Sequence, residues 1–591
     1  MPSKFIKQIK YLYQTSRHII HEYGLVYFIN FGFSQLRNQK LDLFKSEGIN
    51  ENIPQRKIQK KIDYDTWSKN HTKLLGESSF LLQYSPKVSF LMFVHNTDSL
   101  DDAMASIIDQ SYPNWELKII STYNNHDDLK FIDNRIQFKI INSNDKDIVE
   151  QISKTDSEFV CFMTNKIILD KNALFQLVKS LNENPISDIV YSDEEREQTD
   201  HTARPFFKPD WSPYLFLFTN YIGSFFMIRK TILVKTVPDM KILNGIFFGF
   251  LLKTTEITLN IYHHPNILFK QLLDKKNISV ELNQKTISEA LRRRNLDANV
   301  ILDEQKTNRV LFNLNKEPKV TIIIPTRDNV KFLSKCLRSL EYNTNYKNME
   351  IIIVNNNSNK ETKSFLDSLP YKIINYNEKF NFSKLNNIAS LSSTGEYMLF
   401  LNDDVEAIEP NWLKEMISLC KLDNIAIVGA KLLYNDNTIQ HAGMVYMKNG
   451  FYFHPYQKHP SNTDKNFGII NSICERSAVT GACLLIQSSI FKEIGGFDEI
   501  FDVYYGDSDL CLSVQKLGYK VLYNPYAVLR HDGSSKIRSI AKIFIPVENH
   551  HDFIKKWPSL INGDPYYNSN LGFDYELQDV ESFYAQTQPQ I

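Results

Sequence analysis

The chain repeats itself, in order and at low identity, and this limits its fold more than any other feature. Pro86-Lys87-Val88 opens the apolar run Ser89 to Val94, and Pro318-Lys319-Val320 opens Thr321 to Ile324, 232 residues later. Glu116 to Ile120 parallels Glu350 to Val354, Glu158 to Met163 parallels Glu396 to Leu401, and Gly223 to Ile228 parallels Gly481 to Ile486, at offsets of 234, 238 and 258. The slow growth of the offset is what loop insertions in the second copy produce. Within each copy, short β-rich apolar runs alternate with helical patterns such as Val330 to Leu340 and Asn411 to Cys420. Uninterrupted apolar strands between helices predict a mostly parallel sheet covered on both faces. The expected organisation is two α/β domains of like topology, over 64–310 and 318–563. A helix over Thr286 to Leu296 closes the first, a helical extension over 1–63 precedes it, and a polar tail over 564–591 is ordered where it docks.

Lys and Arg together number 68, as do Asp and Glu. A general nucleic-acid binder needs a basic surplus to neutralise phosphates, so no nucleic-acid partner is expected. The first 60 residues are locally basic, with Lys4, Lys7, Lys10 and Arg17 interleaved with Phe5, Ile9, Leu12 and Ile19 near helical spacing. Such a helix either lies on an anionic membrane surface or packs on the protein's own body. Ser212 to Ile228 is uncharged but carries Pro213, Asn220 and Gly223 and is short of the ~20 residues a spanning helix needs, so it reads as domain core. None of the six cysteines has C-x-x-C spacing, and they read as buried thiols. With no signal-peptide pattern, the expected location is cytoplasmic, with peripheral contact at the inner face of the plasma membrane through residues 1–60.

Ligands of parallel α/β sheets sit at the carboxyl ends of the strands, so the polar residues ending each run of the second copy are the candidates. They are PTRD (325–328), VNNNS (354–358), FLNDDVE (400–406) and, further on, GDSDLC (506–511) and His531. Together with FNFSKLNN (380–387), IQHAG (439–443), TGACLLI (480–486) and GGFDE (495–499), this order and spacing resembles the family 2 glycosyltransferases of the GT-A fold. Within them the likeness is to tandem-domain, rhamnosyltransferase-like enzymes of bacterial surface polysaccharides, such as O-antigen. It covers about Tyr64 to Leu571, including DPYYN (564–568).

The resemblance implies two tandem GT-A domains, Rossmann-like, and an inverting transfer from a nucleotide-diphosphate sugar to a glycan or lipid-linked acceptor. Charge developing on the departing diphosphate calls for a divalent cation, Mn²⁺ or Mg²⁺. Asn402-Asp403-Asp404 fills the place of the family's D-x-D motif, with Asp404 as the metal-facing acid, Asn402 replacing the commoner Asp and Asp403 on the donor side. His531 matches a histidine that completes the metal shell; the alternative is a structural histidine. Asp507 falls where the family places the general base that takes the acceptor's proton, supported by Asp509; the alternative for Asp507 is the N-cap of the helix that follows. Thr326, Asp328, Asn355 and Asn356 match nucleoside-contacting positions, and Ser383 and Asn387 match positions near the ribose and diphosphate. His441 and Phe497 match the acceptor side; the alternatives are a satisfied turn histidine and a core aromatic.

The first copy lacks these acids. Thr164-Asn165-Lys166 stands where the second copy has Asn402-Asp403-Asp404, and Asn244 to Leu252, aligned with Asp507 and Asp509, holds no carboxylate. A silent first domain that packs on, or feeds acceptor to, an active second one is the expectation. Two other readings compete. A sugar-nucleotide-forming transferase would need a Gly-rich loop after its first strand, which PTRDN is not. A glycan-binding or assembly scaffold would have no reason to keep Asp404, Asp507 and Asp509.

Overall fold

The computed structural model describes residues 62–63, 80–94, 98–121, 133–140, 154–236, 247–273, 280–303, 308–447, 450–532, 547–571 and 582–583. The basic segment 1–60 lies outside them. By its contacts the chain divides into one unit of 1–60 with 533–558 and another of 61–532 with 559–591. All that follows concerns the second unit. No helix among the described residues is long and apolar enough to cross a membrane.

The first copy contributes β1 (Val88–Val94), β2 (Trp115–Ser121), β3 (Ile136–Ile140), β4 (Phe159–Thr164), β5 (Ile167–Leu169), β6 (Ile189–Glu197), β7 (Ala203–Phe206), β8 (Phe226–Arg229) and β9 (Ile261–Gln271). Their order is β3-β2-β1-β4-β8-β6-β9-β5, with β7 beside β6. The second contributes β10 (Val320–Thr326), β11 (Met349–Asn356), β12 (Lys372–Tyr376), β13 (Tyr397–Leu401), β14 (Val405–Ala407), β15 (Ile425–Leu433), β16 (Ile439–His441), β17 (Val445–Tyr446), β18 (Tyr452–Phe453), β19 (Cys474–Glu475), β20 (Cys483–Gln487) and β21 (Lys520–His531). Eight of these run β12-β11-β10-β13-β20-β15-β21-β14, the same path strand for strand, with β16 beside β15, β19 beside β21, and β17 and β18 paired apart from the sheet. The first four strands are parallel in both sheets, and β8 and β20 are antiparallel to both of their neighbours.

The likeness extends to side chains. Lys87 pairs with Glu116 at 3.0 Å and Lys319 with Glu350 at 2.7 Å. The Tyr112 hydroxyl donates to the Pro86 carbonyl at 2.6 Å and Tyr346 to Pro318 at 2.5 Å. The offset repeats of the sequence are therefore two copies of one topology.

The uncharged stretch 212–228 is domain core as expected: helix α1 (Pro213–Phe218) buries Leu215, Phe216, Leu217 and Phe218, and β8 follows. The helix closing the first copy runs over Val280–Arg293, and all six cysteines are buried free thiols. The other helices used below are α2 (Phe248–Thr254), α3 (Phe382–Ser390), α4 (Trp412–Cys420) and α5 (Gly506–Lys516).

One apolar cluster runs from Phe216 and Phe248 of the first copy to Trp412 and Tyr523 of the second, so the copies share a core. Buried Glu475 on β19 crosses this boundary. It accepts from the Ser212 hydroxyl and from the amides of Tyr214 (3.0 Å) and Leu215 (3.4 Å), which caps α1 from the other copy. A helix start leaves its first amides without partners, and an anion there also meets the favourable end of the helix dipole.

Candidate active site

Pairing of β14 with β21 sets Val405 opposite His531, which brings Asp404 to the histidine. Asp404 Oδ1 lies 3.0 Å from His531 Nε2, both residues are buried, and Asn402 Nδ2 approaches the same nitrogen at 3.5 Å. Gln440 fixes the ring. Its amide nitrogen donates to the His531 carbonyl at 3.0 Å, which turns its oxygen toward His531 Nδ1 at 2.5 Å. Nδ1 must then carry a hydrogen, and Nε2 directs its lone pair at a carboxylate oxygen. Two lone pairs facing each other at this distance require a cation between them or a proton on Nε2. Among the described residues no group of three or more His, Cys, Asp or Glu could hold a metal ion. Asp404 and His531 are the two side chains here that could hold a cation, and Gln440 orients the histidine.

The same register in the first copy sets Ile167 opposite Gln271. Lys166 and Gln271 thus take the places of Asp404 and His531. The equivalence reaches the backbone, since the Leu272 amide donates to Lys166 O at 2.8 Å as the Asp532 amide does to Asp404 O at 3.2 Å. Lys166 brings a cation of its own, and an ammonium repels a metal.

Asp507 lies in the first turn of α5, whose N-cap is Tyr505, so the helix starts earlier than its apolar pattern suggests and Asp507 is not the cap. Its Oδ2 accepts from the Gly481 amide and its Oδ1 from the Ser508 amide, both at 2.8 Å. Burial raises its carboxyl above the usual carboxylate range, against the pull of those amides. Gly481 leaves this approach open: a Cβ there would stand 2.9 Å from the Phe382 ring. Buried Asp509 occupies the same turn. The preceding amide, Thr480, points to His441 Nε2 at 3.4 Å, and the Gly443 amide reaches the same nitrogen at 3.3 Å. His441 Nδ1 therefore carries the hydrogen and donates to His454 Nδ1 at 2.8 Å. Consecutive amides of one turn thus hold the candidate base and a histidine pair.

At the neighbouring strand ends, Asp403 accepts from Thr326 Oγ1 (2.6 Å) and Asn329 Nδ2 (3.0 Å), and burial pushes its carboxyl up to about 7. Exposed Asp328 has a left-handed backbone (φ 53°) and accepts from the Asn359 amide. Asn355 donates to Asn375 Oδ1 and accepts from the Ser358 amide. Asn356 donates to the carbonyls of Tyr376 and Glu378, which leaves its buried Oδ1 with no protein donor. Ser383 donates to the Phe501 carbonyl. Asn387 exchanges bonds with the backbone of Phe497, and both residues tie α3 to the loop before Asp507. The Phe497 ring is 3 % exposed and packs among Phe382, Phe400 and Phe491. Gln440, His454 and Asn329 enter the site without having been singled out in the sequence. Gln440 lay inside the IQHAG motif, and that proximity was the available signal.

The sheet and the site define an α/β domain with its polar groups at the strand ends. Residues 321–483 match the family model described as Glycosyl transferase family 2, so the second copy carries a family 2 glycosyltransferase domain. The chain is 28% identical over 552 residues to the O-antigen biosynthesis protein RfbC of Myxococcus xanthus, across 86% of this chain and 42% of that one. It is 29% identical over 550 residues to the uncharacterized protein y4gI of Sinorhizobium fredii, across 86% of this chain and 60% of that one. The chain thus spans roughly half the length of these relatives. Among solved structures, GalNAc-T7 with UDP, GalNAc and Mn²⁺ aligns over 44% of this chain and 60% of its own, at 14% identity and a TM-score of 0.33.

Proposed function

We propose that the chain is an inverting, metal-assisted glycosyltransferase that moves a sugar from a nucleotide-diphosphate donor to a glycan or lipid-linked acceptor in cell-surface polysaccharide assembly. The observation that carries this reading is the Asp404–His531 pair, oriented by Gln440 and replaced by Lys166 and Gln271 in the first copy. Asp404 and His531 would hold Mn²⁺ or Mg²⁺, which acts as a Lewis acid toward the departing diphosphate. Thr326, Asp328, Asn355 and Asn356 would take the nucleoside, with Asp403 fixing Thr326.

Asp507 accepts the proton of the attacking hydroxyl at a carboxylate oxygen. Its raised proton affinity suits that task, because a base whose pKa lies nearer the working pH removes a proton more readily. One candidate base, Asp507, aligned with the family's base position is consistent with direct displacement and inversion. The first copy, with Lys166 and Gln271 in the places of Asp404 and His531, would be catalytically silent.

The test is a panel of UDP-, dTDP- and GDP-sugars with Mn²⁺ or Mg²⁺, wild type beside Asp404→Ala and Asp507→Asn. The expected result is metal-dependent release of one nucleoside diphosphate, lost in both variants, with donor binding weakened only in Asp404→Ala. Absence of binding to every donor with either metal refutes the reading.

A further inference from the structure

The first copy holds none of the catalytic acids, yet a continuous line of contacts runs from it to Asp507. Its elements are the segment 564–571 and the hairpin of β17 and β18. Asn568 Nδ2 donates to Asp193 Oδ2 and to the Lys208 carbonyl of the first copy, both at 2.8 Å. The Asp210 amide donates to the Pro565 carbonyl at 2.8 Å, and Asn570 Nδ2 donates to the Pro265 carbonyl. The anchor is rigid, because Asp193 also accepts from His263 and from the Lys208 amide, while the buried Lys208 ammonium pairs with Glu194 at 2.7 Å.

The other end of the segment grips the hairpin. Asp564 Oδ2 accepts from the Tyr446 amide at 2.8 Å, and the Tyr567 ring meets Phe453 edge to face at 5.2 Å. Phe207 of the first copy joins Val445, Phe453, Tyr567 and Leu571 in one apolar cluster. The hairpin's other side touches the start of α5. Tyr452 meets the Tyr505 ring at 5.5 Å, and the buried Tyr446 hydroxyl lies beside Ser508, the residue after Asp507. Tyr505 is a non-glycine residue in the left-handed region (φ 67°), a conformation that persists only where its surroundings impose it.

We propose that the silent first copy positions Asp507. It anchors residues 564–571, these hold the β17–β18 hairpin, and the hairpin holds Tyr505 and Ser508 on either side of the base. Tyr452 and Asn568 are positioning residues in this account, which rests on Asp507 being the base. A donor sugar and its diphosphate meet the strand ends of the second sheet, so the line should govern turnover and leave nucleotide affinity alone.

The test uses the full chain, with Mn²⁺ and the donor that wild type turns over. Asn568→Ala removes the two bonds to Asp193 and Lys208 and weakens the link to the first copy, Tyr452→Leu removes the ring against Tyr505, and Tyr452→Phe keeps it. Nucleoside diphosphate release reads turnover, and calorimetric titration with the free nucleoside diphosphate reads affinity. Misplacement of a catalytic group by about 1 Å costs up to about 100-fold. The expected result is a drop of about 10- to 100-fold in turnover for Asn568→Ala and Tyr452→Leu. Affinity stays within about twofold in both, and Tyr452→Phe stays near wild type. Unchanged turnover in both variants overturns the inference, and so does a parallel loss of affinity and turnover, the mark of general damage to the fold. Asp507→Asn runs beside them: if it turns over like wild type, the base assignment falls and takes this inference with it. If it alone is impaired, the base stands and only the positioning line is refuted.

Discussion

Replacing Glu475 probes the contact between the copies most directly. Glu475→Ala strands the Ser212 hydroxyl and the Tyr214 amide in a buried site; the Leu215 amide, already long at 3.4 Å, adds little. A stranded buried donor costs about 1–3 kcal/mol, so two cost about 2–6 kcal/mol. Burial raises the Glu475 carboxyl above its ordinary range, so removing it also recovers desolvation, and the net loss should be about 2–4 kcal/mol. In a domain of about 250 residues that lowers the melting temperature by roughly 4–8 °C. Glu475→Gln keeps the volume and one acceptor oxygen and should stay within about 1 kcal/mol of wild type. The sign with pH follows from the raised pKa. The native state binds the proton more tightly than the unfolded chain, so this group's contribution is most favourable in acid. It falls as pH rises from its ordinary value of 4.5 through the folded value, and the Gln variant lacks that slope. Thermal unfolding followed by intrinsic fluorescence, over a pH series, reads both effects. A melting temperature for Glu475→Ala within about 2 °C of wild type, or an equal loss for Gln and Ala, refutes the capping argument.

Gln440→Leu removes the acceptor that fixes His531 and should weaken Mn²⁺ binding about 10- to 100-fold, read by direct titration of the metal; unchanged affinity removes His531 from the metal set. Asp507→Asn should lower donor turnover by at least about 100-fold while nucleotide affinity holds, measured as diphosphate release. Burial pushes Asp564 up to about 6 from 3.8, so it should withdraw up to about 3 kcal/mol of stability as pH rises from about 4 to 6; Asp564→Asn should flatten that part of a stability–pH curve. A Cβ on Gly429 would stand 2.5 Å from Val479, so Gly429→Ala should cost about 1–3 kcal/mol in denaturant unfolding without any effect on metal affinity.

The duplicated topology was legible because strands buried on both faces are written as unbroken apolar runs, such as Ile322 to Ile324 and Leu399 to Leu401. The first copy carries such runs as well, although Lys166 stands where the second copy has Asp404. Lys166 was aligned with Asp404 from sequence spacing alone, and the register of β5 on β9 gives the same pairing. What sequence could not supply were partners brought in from far away. Gln440 acts on His531 across 91 residues, and Glu475 caps a helix across more than 250. Neither has a local pattern, since a glutamine on an apolar strand and a glutamate before an arginine look like ordinary surface residues. The start of α5 has no apolar signal for a related reason. Its first turn carries Gly506, Asp507 and Asp509 in place of apolar residues, so the periodicity begins only at Leu510.

The bond from Asn568 to Asp193 spans 375 residues of chain. At ~5–20 residues per second, a ribosome that has just released Asp193 needs roughly 20–75 s to deliver its partner. Throughout that interval the first copy can complete its own sheet, but one oxygen of a buried carboxylate and the Lys208 carbonyl wait for a donor that does not yet exist. An unmet buried acceptor is a local weakness, so the nascent first copy should open more readily there than the finished protein does. The order of synthesis therefore makes the closing of this joint one of the last events in maturation, and α5 reaches its final setting only after the chain beyond it has been made.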